Sequence, residues 1–141
     1  FKKYTSNKYT KSHPVVSGKR GNYGKYNAQY PKLLEAMGLD EDSALKSCSW
    51  GKFQIMGANY KNCGHANVKE MITDAFKSEK EHLKQFINFV LYDKNLLSAI
   101  QGKKWANFAK GYNGPAYADN AYDVKMETAY NHFVKNKDEL P

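Results

Sequence analysis

What most constrains this chain is the spacing of its apolar residues beyond Asn27. Across residues 78–93, Leu83, Phe86, Ile87 and Val90 fall on one side of a helix, while Lys77, Glu81 and Lys84 face water. The same period recurs on both sides. Leu33, Leu34 and Met37 form one apolar face that Gly38 ends. Asp40, with Ser43 three residues on, is a good N-cap for a short helix through Ala44 and Leu45. From Ser49, the order Trp50, Phe53, Ile55, Met56 reads as another helix, bracketed by Gly51 and Gly57. Asn67 and Glu70 have the spacing of a capping pair, opening a helix through Met71, Ile72 and Phe76. A short helix follows at residues 96–100. Trp105, Phe108, Ala109 and Tyr112 share one face of the next, which breaks at Gly114-Pro115. Tyr122, Met126, Ala129, Tyr130 and Phe133 close the series. Residues 1–30 differ: polar, with Gly18, Gly21 and Gly24 in step, they read as an irregular loop or short hairpin. The expected fold is mainly α, with a small β or loop lobe near the N-terminus.

A length of 141 residues suits one domain with one core, and no linker interrupts it. The expectation is a single domain over residues 1–141, acting as a monomer. The most apolar stretch, residues 86–91, is far too short to span a bilayer. The formal charge of +8, from 22 Lys and Arg against 14 Asp and Glu, draws the chain toward polyanions. Arg20 is the only arginine, and the lysines are spread thinly. Specific readers of bases and phosphates favour clustered arginine forks, so no specific nucleic-acid partner is expected.

Chemistry has few places to reside. Cys48, Cys63 and His65 are three soft ligands without a fourth at normal spacing, so packed thiols and surface histidines (His13, His82, His132) are the favoured reading. No Gly-x-Ser-x-Gly elbow appears, and Gly18-Lys19-Arg20-Gly21 does not sit between a strand and a helix. No metal or other cofactor is expected. Two segments stand out. In Ser47-Cys48-Ser49-Trp50-Gly51-Lys52-Phe53-Gln54-Ile55-Met56-Gly57, Gln54 lies among apolar residues and needs hydrogen-bond partners, either in backbone or in a ligand amide. In the other, Tyr112-Asn113 ends a helix just before Gly114-Pro115, and such ends often line sites. By residue type alone, Trp50 and Trp105 read first as core anchors.

These segments resemble the Gly-x-x-Gln and Tyr-Asn signatures of the lysozyme superfamily. The closer resemblance is to the N-acetylmuramidase family of phage and prophage endolysins. It runs along Ala44-Leu45-x-Ser47-x-Ser49-Trp50-Gly51-x-Phe53-Gln54-Ile55-Met56-Gly57 and resumes at Trp105-x-x-Phe108-Ala109-x-Gly111-Tyr112-Asn113-Gly114-Pro115. It continues through Tyr117, Tyr122-Asp123-x-Lys125 and Ala129-Tyr130. Cys48 stands where the family pattern has a small hydroxyl residue.

The resemblance implies a lysozyme-like helical domain with a cleft. It implies hydrolysis of the β-1,4 bond between N-acetylmuramic acid and N-acetylglucosamine in bacterial peptidoglycan. The alternatives are a non-catalytic peptidoglycan-binding domain or a basic nucleic-acid-binding module. The site of action would be the bacterial cell envelope, after synthesis in the cytoplasm of a bacterium or phage-infected host. By the same resemblance Gln54 hydrogen-bonds the glycan or holds the cleft floor. Tyr112 orients the acid or lines the cleft, Asn113 binds a sugar through its amide, and Ser49 and Trp50 shape the neighbouring wall. Tyr23, in the Gly-rich loop, is a candidate to stack on a sugar face. In this family the catalytic glutamate precedes an acidic-Arg-His-x-Phe segment, of which Phe1 resembles the last residue. The expectation is therefore an N-terminally truncated domain with its general acid upstream of Phe1. Glu35, Asp40, Glu41, Asp42, Glu79 and Glu81 each read as a solvated face or as charge favourable at a helix start.

Overall fold

A computed structural model describes residues 1–19, 21 and 24–136. Among these residues seven α-helices follow one another: α1 (Gln29–Leu39), α2 (Glu41–Ser47), α3 (Val68–Ala75), α4 (Glu79–Tyr92), α5 (Lys94–Gln101), α6 (Trp105–Asn113) and α7 (Tyr122–Lys135). Two short strands, β1 (Ser49–Trp50) and β2 (Ile55–Met56), lie between α2 and α3. The chain divides into two compact units, Phe1–Phe89 and Val90–Pro141.

Helix boundaries in the first unit follow from side-chain capping. Asp40 ends α1 in an extended conformation, its N–H bonded to the Ala36 carbonyl, and its Oδ1 then accepts from Ser43 N at 2.9 Å to start α2. Asn67 Oδ1 accepts from Glu70 N, while Glu70 Oε2 accepts from Ala66 N, both at 2.9 Å. Leu45, Val68 and Ile72 form the buried centre, with Leu33, Met37, Trp50 and Tyr60 packed against it. Residues 1–17 form successive turns with no strand pairing, tied to α1 by the Tyr9 hydroxyl, which donates to the Leu39 carbonyl at 2.9 Å.

Four expectations change. Residues 1–19 take the loop rather than the hairpin alternative, and the β element lies at 49–56, where a helix was expected. Phe76 is 81% exposed rather than part of the buried face of α3. Leu34, expected beside Leu33 and Met37, is about half exposed. On α4, Leu83 and Ile87 are also exposed, while Gln85 and Val90 are each buried. Gln85 Nε2 donates to the Met71 carbonyl at 2.8 Å, a bond that offsets the cost of taking its amide out of water and lets a polar side chain be buried.

In the second unit, Leu96, Ala99, Phe108 and Ala109 are buried. Asp93 starts α5 by accepting from Asn95 N and Leu96 N. Gly111 lets α6 approach α5, since a Cβ there would lie 2.7 Å from Leu96 Cδ2. Trp105 and Tyr130 join α6 to α7, with ring centroids 5.3 Å apart.

Two consequences are measurable. A Cβ on Gly57 would sit 2.2 Å from the Leu45 carbonyl oxygen, a backbone atom that cannot step aside. Gly57→Ala should therefore destabilise the fold by about 1–3 kcal/mol in a denaturant titration. Cys48 and Cys63 are free thiols, and burial pushes Cys63 from 9.0 up to about 11. The folded state thus keeps a proton that the unfolded chain loses. The associated stability is complete below pH 9.0 and is lost as pH rises toward about 11. Cys63 should resist a thiol-specific reagent at pH 8 until the protein is unfolded.

Candidate functional site

Ser49, Trp50 and Gln54 are brought together by the hairpin. Ser49 pairs with Met56 and Trp50 with Ile55, leaving residues 51–54 as the turn. Gly51 has φ 69° and Gln54 has φ 53°, both in the left-handed region, which a right-handed helix cannot contain. That is why the apolar order Trp50, Phe53, Ile55, Met56 forms a hairpin instead. Trp50 is half-buried against the core, and its indole N–H donates to the Leu45 carbonyl at 2.9 Å. It therefore serves as anchor and as hairpin wall at once.

Gln54 is exposed, yet its amide is held at both ends. Nε2 donates to the Gly51 carbonyl at 2.9 Å, and Oε1 accepts from the Ser49 hydroxyl at 2.8 Å. A carbonyl can only accept, so the Gly51 bond fixes which end of the amide is nitrogen. An amide has two N–H donors and two oxygen lone pairs. After these bonds one donor and one acceptor remain on a side chain facing outward.

The tip of the turn rests on α4. Lys52 N donates to His82 Nδ1 at 3.2 Å, and Lys52 Nζ lies 2.8 Å from Glu79 Oε2. The second histidine nitrogen, Nε2, meets the Ala75 carbonyl at 2.5 Å. His82 is thus not the isolated surface histidine expected from sequence. Its partners lie 30 and 7 residues away, and no local pattern announces them.

Tyr112 and Asn113 lie in the second unit, at the end of α6. Tyr112 is half-buried and stacks on Phe108, with centroids 5.6 Å apart and planes 11° apart. Asn113 is exposed and is the last helical residue before Gly114, whose φ of 93° ends the helix. Tyr23 lies outside the described residues.

The carboxylates weighed as proton donors are largely occupied. Asp40 caps α2, Glu41 pairs with Lys69, Asp42 with Lys46, Glu79 with Lys52 and Glu81 with Lys84. Glu35 is exposed on α1. The hydrogen bond from Lys52, and then its charge, hold Glu79 below the usual carboxylate range. A general acid needs the opposite shift. His65 Nδ1 lies 3.9 Å from Glu70 and 3.7 Å from Asp74. Among the described residues no three His, Cys, Asp or Glu side chains are grouped to hold a metal ion. A separate cavity of about 550 Å³ opens in the first unit, with Val15, Val16, Leu33 and Ala36 among its apolar lining and Lys2, Lys3, Lys19 and Lys32 among its charges.

A mainly helical body carrying a Ser-Trp-Gly-x-x-Gln hairpin defines a lysozyme-like fold. The crystal structure of the Burkholderia AP3 phage endolysin superposes with a TM-score of 0.83 at 41% identity, over 93% of this chain. The match takes in 51% of that endolysin, so this chain spans about half its length. The family model described as N-acetylmuramidase matches residues 1–134, and the chain belongs to that family. No curated protein matches it. Among the described residues no helix is long and apolar enough to cross a membrane.

The left-handed backbone at Gln54 gives a sharp test. A non-glycine residue there costs roughly 1–2 kcal/mol, whereas glycine carries an entropic cost of about 0.5–1 kcal/mol. Gln54→Gly should therefore stay within about 1 kcal/mol of the parent stability by chemical denaturation. Gln54→Val, β-branched and unsuited to positive φ, should fall below both.

Proposed function

We propose that this chain is the glycan-gripping body of an N-acetylmuramidase that hydrolyses the β-1,4 bond between N-acetylmuramic acid and N-acetylglucosamine in bacterial peptidoglycan. The Gln54 amide carries the proposal. Held by Ser49 and Gly51, it keeps one free donor and one free acceptor pointing outward. A sugar N-acetyl group offers the complementary pair, one N–H and one carbonyl. Both sugars of the repeating unit bear such a group, so a fixed amide reads the polymer as a charged or unmodified sugar surface could not.

In the second unit, Tyr112 orients the acid or lines a glycan-facing surface, and Asn113 binds a sugar through its own amide. Ser49 holds Gln54 while Trp50 forms the wall beside it, and Tyr23 stacks on a sugar face. The reaction needs a general acid, a carboxyl group poised beside the scissile bond. That acid protonates the glycosidic oxygen as oxocarbenium character develops on the sugar. The family match over residues 1–134 supports treating the chain as one catalytic domain; the proposal further takes it to act as a monomer and to need no cofactor. The protein would be made in the cytoplasm of a bacterium or infected host and act on the envelope, where the +8 charge suits anionic wall polymers rather than a specific nucleic acid.

Purified peptidoglycan tests this directly. The 141-residue chain should co-sediment with it, and binding should weaken as salt screens the charge. The full-length protein should release fragments with N-acetylmuramic acid at the reducing end. Sedimentation without release by the full-length protein would leave a binding domain only, and no sedimentation would remove the glycan reading altogether.

A further inference from the structure

Three consecutive turn residues, Gly51, Lys52 and Phe53, meet one face of α4 at successive helical steps. Lys52 Nζ pairs with Glu79 at 2.8 Å, and Lys52 N donates to His82 at 3.2 Å. Phe53 stacks on Phe86, with centroids 4.5 Å apart and planes 18° apart. Positions 79, 82 and 86 share a helix face because they are three and four residues apart. His82 is the central contact. Its Nε2 meets the Ala75 carbonyl, which can only accept, so Nε2 carries the proton and Nδ1 is left as the acceptor for Lys52 N. The ring also sets how closely the turn can approach. A Cβ on Gly51 would lie 3.1–3.3 Å from its Cδ2, Cγ and Nε2.

We infer that His82 is a positioning residue for Gln54. The imidazole, locked in one tautomer between Ala75 and Lys52, fixes the turn on α4. The Gly51 carbonyl that holds the Gln54 amide belongs to the same peptide group as the Lys52 N–H that His82 binds. One planar unit therefore links the imidazole to the glycan-facing amide: its N–H goes to His82 and its C=O goes to Gln54. Rotation of that peptide moves both contacts together. The Lys52–Glu79 pair, exposed on both sides, adds little to this hold, and the aromatic stack limits sliding without setting the peptide's orientation. This role rests on the reading of Gln54 as a glycan contact.

Two substitutions separate the functions of the ring. In His82→Asn the side-chain oxygen takes the place of Nδ1 and accepts from Lys52 N. In His82→Gln the amide nitrogen takes the place of Nε2 and keeps the Ala75 contact, but leaves Lys52 N without its acceptor. The readouts are hydrogen exchange of the Lys52 amide, melting temperature, and sedimentation of the full chain with purified peptidoglycan. His82→Asn should keep Lys52 protected and bind near the parent level. His82→Gln should exchange Lys52 faster and bind about tenfold more weakly, the loss of roughly one hydrogen bond, with a melting temperature close to that of His82→Asn. Equal Lys52 protection in His82→Gln and the parent overturns the inference whatever the glycan does. A parent chain that fails to bind peptidoglycan overturns the functional proposal instead, while Lys52 exchange still decides the clamp. The parent protein gives a check that needs no variant. Imidazole nitrogen NMR shifts should show a protonated Nε2 and a bare Nδ1, and a rapidly averaging pair of tautomers would overturn the inference.

Discussion

The carbonyl of Leu45 is the point on which the hairpin depends. It lies in the last turn of α2, where helix carbonyls run out of partners within the helix. The Trp50 indole supplies the missing donor at 2.9 Å, and Gly57 passes so close that no side chain fits. The two strand ends are thereby drawn toward one atom. Leu45 is itself 6% exposed in the core with Val68 and Ile72, so the hairpin is referenced to the buried core of its unit. Gly57 N adds a bond to the Cys48 carbonyl at 2.8 Å, closing the base of the loop.

From that base the chain has only four residues in which to turn, and it spends two in left-handed conformations. Gly51 takes one without steric penalty. Gln54 takes the other against its preference, and its side chain then folds back on the loop that strains it. A residue in an unfavourable conformation, exposed and hydrogen-bonded into position, marks a place where stability has been yielded for geometry. The two ends of the same turn are supported differently. Trp50 supports the base through the core, and α4 supports the tip through His82 and Phe86.

Much of this was legible in the sequence. Asp40 and Asn67 announced their helices because a capping side chain acts three residues away. The apolar spacing located α5, α6 and α7, and Gly114 marked the end of α6. The hairpin was not legible from periodicity, since four apolar residues in eight positions satisfy a helix pattern as well as they satisfy a loop. Only backbone angles at Gly51 and Gln54 decide between them. The face of α4 was misjudged for a related reason: hydrophobic spacing has no means of seeing that Gln85 buries itself by satisfying Met71. The candidate site residues Ser49, Trp50 and Gln54 were singled out through motif resemblance, and the residue types alone had left Gln54 with two readings. His82 carried no signal, because its partners are set by tertiary structure.

The last helix has a different character. α7 is fourteen residues long and buries none of them, with Val124, Phe133 and Val134 about half exposed. Helices of this length are marginal by themselves, and contacts such as Trp105 with Tyr130 and Lys103 over the same ring lie toward one stretch of it. Its order is therefore borrowed from α6 rather than generated within. In energetic terms α7 belongs to the low-stability end of the second unit, a helix whose local opening exposes little that was buried.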